Sequence, residues 1–156
     1  MAFTVISGGQ TGVDRAALDV ALTLGVPCGG WCPEGRQAED GPLSPHYPLR
    51  VLPGADYQAR TRRNVIDSDG TLIIYFEELE GGTALTAKFC LELHKPCKLI
   101  DGAEIAPLQA AEAIRRFVRR HSIESLNVAG PRASKAPRAY AYTREVLTKL
   151  LSQRIP

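Results

Sequence analysis

The chain has 156 residues, 44% hydrophobic and 23% charged, which is ordinary for a globular protein and enough for one sizeable core in a single domain over residues 1–156. Its formal net charge of +2 creates no strong field, so a general nucleic-acid binder is excluded on charge alone. No apolar run approaches the ~20 residues that span a bilayer, and the N-terminus lacks a signal-peptide pattern, so a cytoplasmic protein without a membrane partner is expected.

Taken in order, the chain opens with Phe3-Thr4-Val5-Ile6, a β-branched apolar run that ends in Ser7-Gly8-Gly9-Gln10-Thr11-Gly12. An amphipathic pattern follows at once through Val13, Ala17, Val20, Ala21 and Leu24, which predicts strand, tight turn and helix. Gly8, Gly9 and Gly12 let a backbone come close to a ligand, and the free N–H groups of the first helical turn favour an anion there. Gln10 and Thr11 add an amide and a hydroxyl. The same glycines also suit a sharp turn with no ligand.

Gly25-Val26-Pro27 ends that helix, and Cys28 to Cys32 reads as a short second strand. A dinucleotide fold places an acid about 20 residues beyond its glycine loop. Here Gly30-Trp31-Cys32-Pro33 occupies that place and the loop reads GGxxG, which disfavours the usual binding of NAD. Cys28, Cys32, Cys90 and Cys97 lack zinc spacing and His46, His94 and His121 are scattered, so reduced thiols and no metal site are expected. Residues 33–53 form a long loop rich in proline and glycine, of the length that is commonly functional, and it reads as a lid over the first turn. In it Arg36 can clamp a phosphate and the preceding Trp31 can stack on a ring. Glu39 and Asp40 either meet donors on a heterocycle, hold a metal, or are simply solvated.

Residues 57–67 read as a helix with Tyr57, Arg60, Thr61 and Asn64 on one face, a polar stripe that is either solvated or turned toward a ligand. A turn at 67–70 leads into Thr71–Phe76, apolar almost throughout as a doubly covered parallel strand should be. A second glycine turn, Gly81-Gly82-Thr83, opens a helix with Leu85, Phe89, Cys90 and Leu93 on its apolar side. Lys98–Asp101 is a further strand, and Pro107 suits the first position of a helix that turns Leu108, Ala111, Ile114, Phe117 and Val118 inward. Arg115, Arg116, Arg119 and Arg120 then form its solvated face. Ser125–Ala129 is the last strand, and the loop after it carries Gly130, Arg132, Ser134 and Lys135. A final helix from about Pro137 turns Thr143, Val146, Leu147 and Leu150 inward. Strands alternating with amphipathic helices predict one doubly wound α/β fold, a mostly parallel sheet with helices on both faces. Three glycine-bearing turns at strand ends predict that loops 8–12, 81–83 and 130–134 meet around an anion.

Ile6 to Asp19, Gly29-Gly30-Trp31-Cys32-Pro33 with Gly35-Arg36 and Glu39-Asp40-Gly41, Arg60-Thr61 with Asn64-Val65 and Asp67-Ser68-Asp69, Gly81-Gly82-Thr83, and Asn127 to Arg132 together resemble the molybdenum carrier (molybdenum cofactor carrier protein) family. That family lies in the Rossmann-like SLOG superfamily, which also holds the lonely-guy type nucleoside-monophosphate phosphoribohydrolases. The resemblance implies a Rossmann-like fold and a homo-oligomer, dimer or tetramer. It also implies binding and protection of the molybdenum cofactor (molybdopterin), a phosphorylated pterin dithiolene. Residues and resemblance together give an expected ligand set of Gly8, Gly9, Gln10, Thr11, Gly12, Trp31, Arg36, Gly81, Gly82, Thr83, Arg132 and Ser134, around a phosphate- or sulfate-type anion.

The rival reading is a nucleoside-monophosphate N-glycosidase, whose relatives carry an acid on the helix after the second glycine motif. This helix has no acid until Glu92; only Glu39, Asp40 or Asp14 could swing close enough to act as the base, and Asp14 more naturally complements the start of the first helix. A nucleotide-sensing module would use the same loops. The expectation is a protein that carries a small phosphorylated ligand and does not transform it, with no catalytic residue.

Overall fold

Five short strands form the frame: β1 (Thr4–Ile6), β2 (Cys28–Gly29), β7 (Gly70–Tyr75), β8 (Cys97–Asp101) and β9 (Ser125–Ala129). They pair in the order β2-β1-β9-β7-β8, every pair parallel. The helices are α1 (Val13–Leu24), α2 (Tyr57–Ile66), α3 (Gly81–Glu92), α4 (Pro107–Arg120) and α5 (Ala139–Leu151). These details come from a computed structural model that describes residues 3–153. The fold is the doubly wound, Rossmann-like α/β sheet expected from the alternation of elements, with β9 returning to lie between β1 and β7.

Side chains alternate across a strand, and the two faces of this sheet differ in kind. Val5, Leu72, Ile74, Ile100, Leu126 and Val128 point into one apolar core with Val13, Ala17 and Val20 of α1, Ile114 and Val118 of α4, and Val146, Leu147 and Leu150 of α5. Burial of a side chain of this size stabilises by about 1.5–3 kcal/mol. The alternate positions Thr71, Ile73, Tyr75 and Asn127 face the other way, where α2 and α3 pack on each other. On that side α3 buries only Thr83, Thr86 and Cys90, and α2 buries Arg60, Asn64 and Val65. Polar side chains thus line much of one face of the sheet.

Four sequence expectations need correction. Leu24 and Leu108 were expected inward, yet they are 39% and 58% exposed, Leu24 being the last residue of α1 and Leu108 the second of α4. The strand expected over 28–32 breaks at Gly30 (φ 136°); only Cys28–Gly29 stays in the main sheet. Beyond it β3 (Trp31–Cys32) pairs with β6 (Arg50–Val51). The loop 33–53 is ordered rather than structureless: β4 (Gln37–Ala38) and β5 (Gly41–Pro42) form an antiparallel hairpin. Leu18, Cys32, Ala38, Leu43, Tyr47 and Leu49 give it a small core of its own. The last helix starts at Ala139, two residues after Pro137.

Candidate functional site

Above the carboxyl ends of β1, β7 and β9 lies a cleft of about 870 Å³, on the polar face of the sheet. Ligands of open α/β sheets bind outside such strand ends. Its walls come from Gly8 and Gln10 after β1, the Tyr57–Arg60–Thr61–Asn64 stripe of α2, Tyr75 and Phe76 at the end of β7, Gly81–Thr83 of α3, and Gly130–Arg132 after β9. The three glycine-bearing loops therefore meet as expected. All four residues of the polar stripe of α2 line the cleft; Arg60 and Asn64 are buried, and Tyr57 is 51% exposed.

The two glycine-opened helices differ at their first turns. At α1, Gly12 is the N-cap with φ 79° and ψ −127°, a conformation closed to other residues, and a side chain there would overlap the Pro131 carbonyl. That carbonyl accepts the Val13 N–H (3.3 Å), while the Gln10 N–H donates to Asp14 Oδ2 (3.3 Å) and the Thr11 N–H to Gln10 Oε1 (3.0 Å). The expectation that the start of α1 offers free N–H groups to an anion is corrected for Val13, taken by the loop after β9, and for the Gln10 and Thr11 amides just before the helix, taken by side chains; among the described residues the Asp14 and Arg15 N–H groups have no acceptor. At α3 the whole first turn is open. Among the described residues the N–H groups of Gly81, Gly82 and Thr83 have no protein acceptor, Glu80 makes no capping bond, and the space beside both glycines is open.

Arg60 lies across the turn after β1. It is 9% exposed, and its guanidinium fills the space a Gly8 side chain would need. Nη1 reaches Asp14 Oδ2 at 3.5 Å, and Nε has no hydrogen-bond partner among the described residues. Asp14 is also buried; burial pushes its carboxyl up to about 6, against the opposing pull of Arg60 and the Gln10 N–H. A buried cation with an unused donor, in a cleft that an open helix start also lines, is suited to a negatively charged group.

Of the expected ligand set, Gly8, Gln10, Gly81, Gly82, Thr83 and Arg132 line this cleft. The other six do other work. Gly9 packs on Leu43 and Leu49 of the lid, and Gly12 on the loop after β9. The Thr11 hydroxyl donates to Glu39 and accepts from the Ala133 N–H (3.0 Å). Ser134 donates its hydroxyl (2.6 Å) and N–H (3.1 Å) to Glu39. Trp31 donates Nε1–H to Asp67 (2.7 Å), and the guanidinia of Arg50 and Arg63 lie 4.2 and 5.0 Å from its ring. Arg36 donates to the carbonyls of Leu49, Ser44 and Tyr47, closing the lid on itself. Asp40 forms a two-pronged pair with Arg15 (2.9 and 3.0 Å).

The lid is thus fastened to α1 and to the loop after β9, and its residues do not line the cleft. The bonds from Ser134 and Thr11 hold the Glu39 carboxyl below its usual range. Arg60, Asp14, Tyr75, Phe76, Asn127 and Lys135 are lining residues outside the expected set. For Arg60 the signal was present, since its stripe carried too little apolar surface for an ordinary packed helix face. Asp14 stood out in sequence as a carboxyl near the first turn, but its contact with Arg60, 46 residues away, leaves no mark in the spacing.

The family model for the circularly permutated YpsA SLOG family matches residues 5–151. Among solved structures, the chain matches a protein from Syntrophus aciditrophicus SB named "Putative molybdenum carrier protein" with a TM-score of 0.94. The two share 48% sequence identity over 96% of this chain and 95% of that one. No curated protein matches the chain.

Proposed function

The chain belongs to the circularly permutated YpsA SLOG family, and on that premise we propose that it binds the molybdenum cofactor in the cleft above β1, β7 and β9 and carries it unchanged. The observation that supports this most is that one cleft is lined both by Arg60, buried with an unpartnered Nε, and by the three residues whose free N–H groups open α3. Together they suit the phosphate of such a ligand; Arg132 and Lys135 stand on the same walls. The cleft also carries Glu78, Glu80 and Asn127, which can accept from the N–H groups of a pterin, and Tyr57, Tyr75 and Phe76, whose rings suit a flat heterocycle. A bare oxyanion would have no use for these. The volume of about 870 Å³ fits a ligand of cofactor size, within the roughly 300–1,000 Å³ of such pockets.

Carriage without chemistry is the reading because the two lid acids best placed in sequence to act as a base are engaged elsewhere, Glu39 with Thr11 and Ser134 and Asp40 with Arg15. One observation favours the rival N-glycosidase: Asp14 is a cleft carboxyl shifted to about 6, the range of a working acid or base. Two measurements separate them. Mass spectrometry of natively purified protein is expected to find a phosphorylated pterin. Incubation with AMP, GMP, CMP and UMP is expected to release no free base. Sustained release that disappears in Asp14→Asn would make the protein an enzyme. The similarity to a carrier protein extends the proposal to a cytoplasmic homo-oligomer; light scattering at a mass of one chain would remove that part. No described helix is long and apolar enough to cross a membrane.

A further inference from the structure

We propose that Asp14 is the displaceable counter-ion of Arg60: an incoming anion takes its place on the guanidinium, and Asp14 takes up a proton from solvent as it does so. The proposal rests on the anion-binding reading of the cleft.

The geometry of the pair carries the argument. At 3.5 Å the contact from Arg60 Nη1 to Asp14 Oδ2 is long for a charge-assisted hydrogen bond, and Nε is left without a partner although it is buried. An arginine committed to a structural ion pair would engage a carboxylate through its fork. Here the guanidinium keeps donors in reserve and lies across Gly8 at the base of the cleft. Asp14 for its part has lost solvent and holds one long ionic contact and the Gln10 N–H at 3.3 Å. A carboxylate so poorly compensated is readily neutralised.

The charges around Asp14 decide the sign. Arg60 faces it from α2, and Arg15 on its own helix is engaged with Asp40 and the Gly9 carbonyl. Arg132 and Lys135 stand on the wall after β9, with Arg132 also 3.5 Å from Glu39 of the lid. Glu78 and Glu80 stand on the wall before α3. An anion seated on Arg60 weakens the nearest attraction that keeps Asp14 ionised and adds a like charge next to it. Both changes favour the neutral acid. Burial already holds this carboxyl at about 6, so a modest further push brings its titration to neutral pH.

Anion affinity is therefore linked to the proton and falls as pH rises. Sulfate is the probe, because it keeps its double charge throughout the range and contributes no titration. It is titrated into the protein at several pH values while the N–H signals of Gly81–Thr83 and the Asp14 carboxyl carbon are followed by NMR. The expected result is a dissociation constant that rises several-fold, up to about tenfold, between about pH 5.5 and about pH 8, with the Asp14 titration moving to higher pH when sulfate is bound. Asp14→Asn is expected to bind sulfate with little dependence on pH. If sulfate binds in the cleft with the same affinity across the range and leaves the Asp14 titration unmoved, the coupling is wrong and the anion site stands. If sulfate leaves Gly81–Thr83 and Asp14 unaffected at every pH, the coupling and the anion-binding reading both fail. The carboxyl measurement uses the unaltered chain, so the result does not depend on the variant folding.

Discussion

Two helices of this molecule, α1 and α3, each follow a parallel strand and are each opened by glycines, yet what packs on those glycines differs. The glycines before α1 let protein approach protein: the loop after β9 seats its Pro131 carbonyl on Gly12, and Arg60 lies across Gly8. Gly81 and Gly82, the first residues of α3, have nothing opposite them, and the first-turn N–H groups there remain free among the described residues. A glycine-rich strand-to-helix turn therefore shows that something comes close to the backbone. What comes close is settled by the elements packed above it.

The comparison breaks most visibly at Gly12. Gly12→Ala puts a side chain into the Pro131 carbonyl at a backbone conformation an L-residue avoids, and should cost about 3 kcal/mol or more in urea unfolding. A loss within a few tenths of that of an ordinary surface substitution would mean that the start of α1 is not sealed by the loop after β9.

Asp14→Asn is expected to act next most strongly, in the opposite direction. The carboxyl is raised from 3.8 to about 6 in the folded chain, so its ionised form costs stability. The cost is absent below about 3.8, grows as pH rises and is complete above about 6, where it amounts to about 3 kcal/mol. The variant should thus be more stable than the parent near pH 8, and the difference should close as the solution is acidified. A variant less stable than the parent at high pH would show that the Arg60 contact outweighs the burial of Asp14.

Gly82→Ala sharpens the contrast with Gly12. Nothing lies within reach of the new methyl group, and alanine suits a helix better, so stability should rise by about 0.5–1 kcal/mol while anion affinity falls. The smallest effect concerns the lid. Glu39 is held below its usual range by Ser134 and Thr11, so its contribution is present at neutral pH and is lost as pH falls through its lowered value. Proteolysis within residues 33–53 should accelerate in acid, and Glu39→Gln should show the faster cleavage at neutral pH already.

Much of this was legible in the chain, for reasons that are local. β7 and β9 announce themselves by apolar runs, α4 by Pro107 and its stripe of Ala111, Ile114 and Val118, and the meeting of three glycine loops by their places after strands. What was not legible depends on contacts between distant residues. Arg36 and Trp31 look like ligand groups in sequence, but lid carbonyls occupy Arg36, and Asp67 and two arginines occupy Trp31. Thr11 and Ser134, 123 positions apart, are joined through Glu39, a link that no spacing along the chain reveals. Arg60 could be read as solvated or as facing a ligand until α2 was seen packed beside α3.

The most direct measurement of the central claim is a titration of ¹⁵N-labelled protein with inorganic phosphate, following every backbone N–H and the Arg60 Nε–H. The account predicts that the largest shifts fall on Gly81, Gly82, Thr83 and the Arg60 side chain, with little change at Thr11 to Val13. Shifts concentrated at the start of α1, with Gly81–Thr83 and Arg60 unmoved, would contradict it.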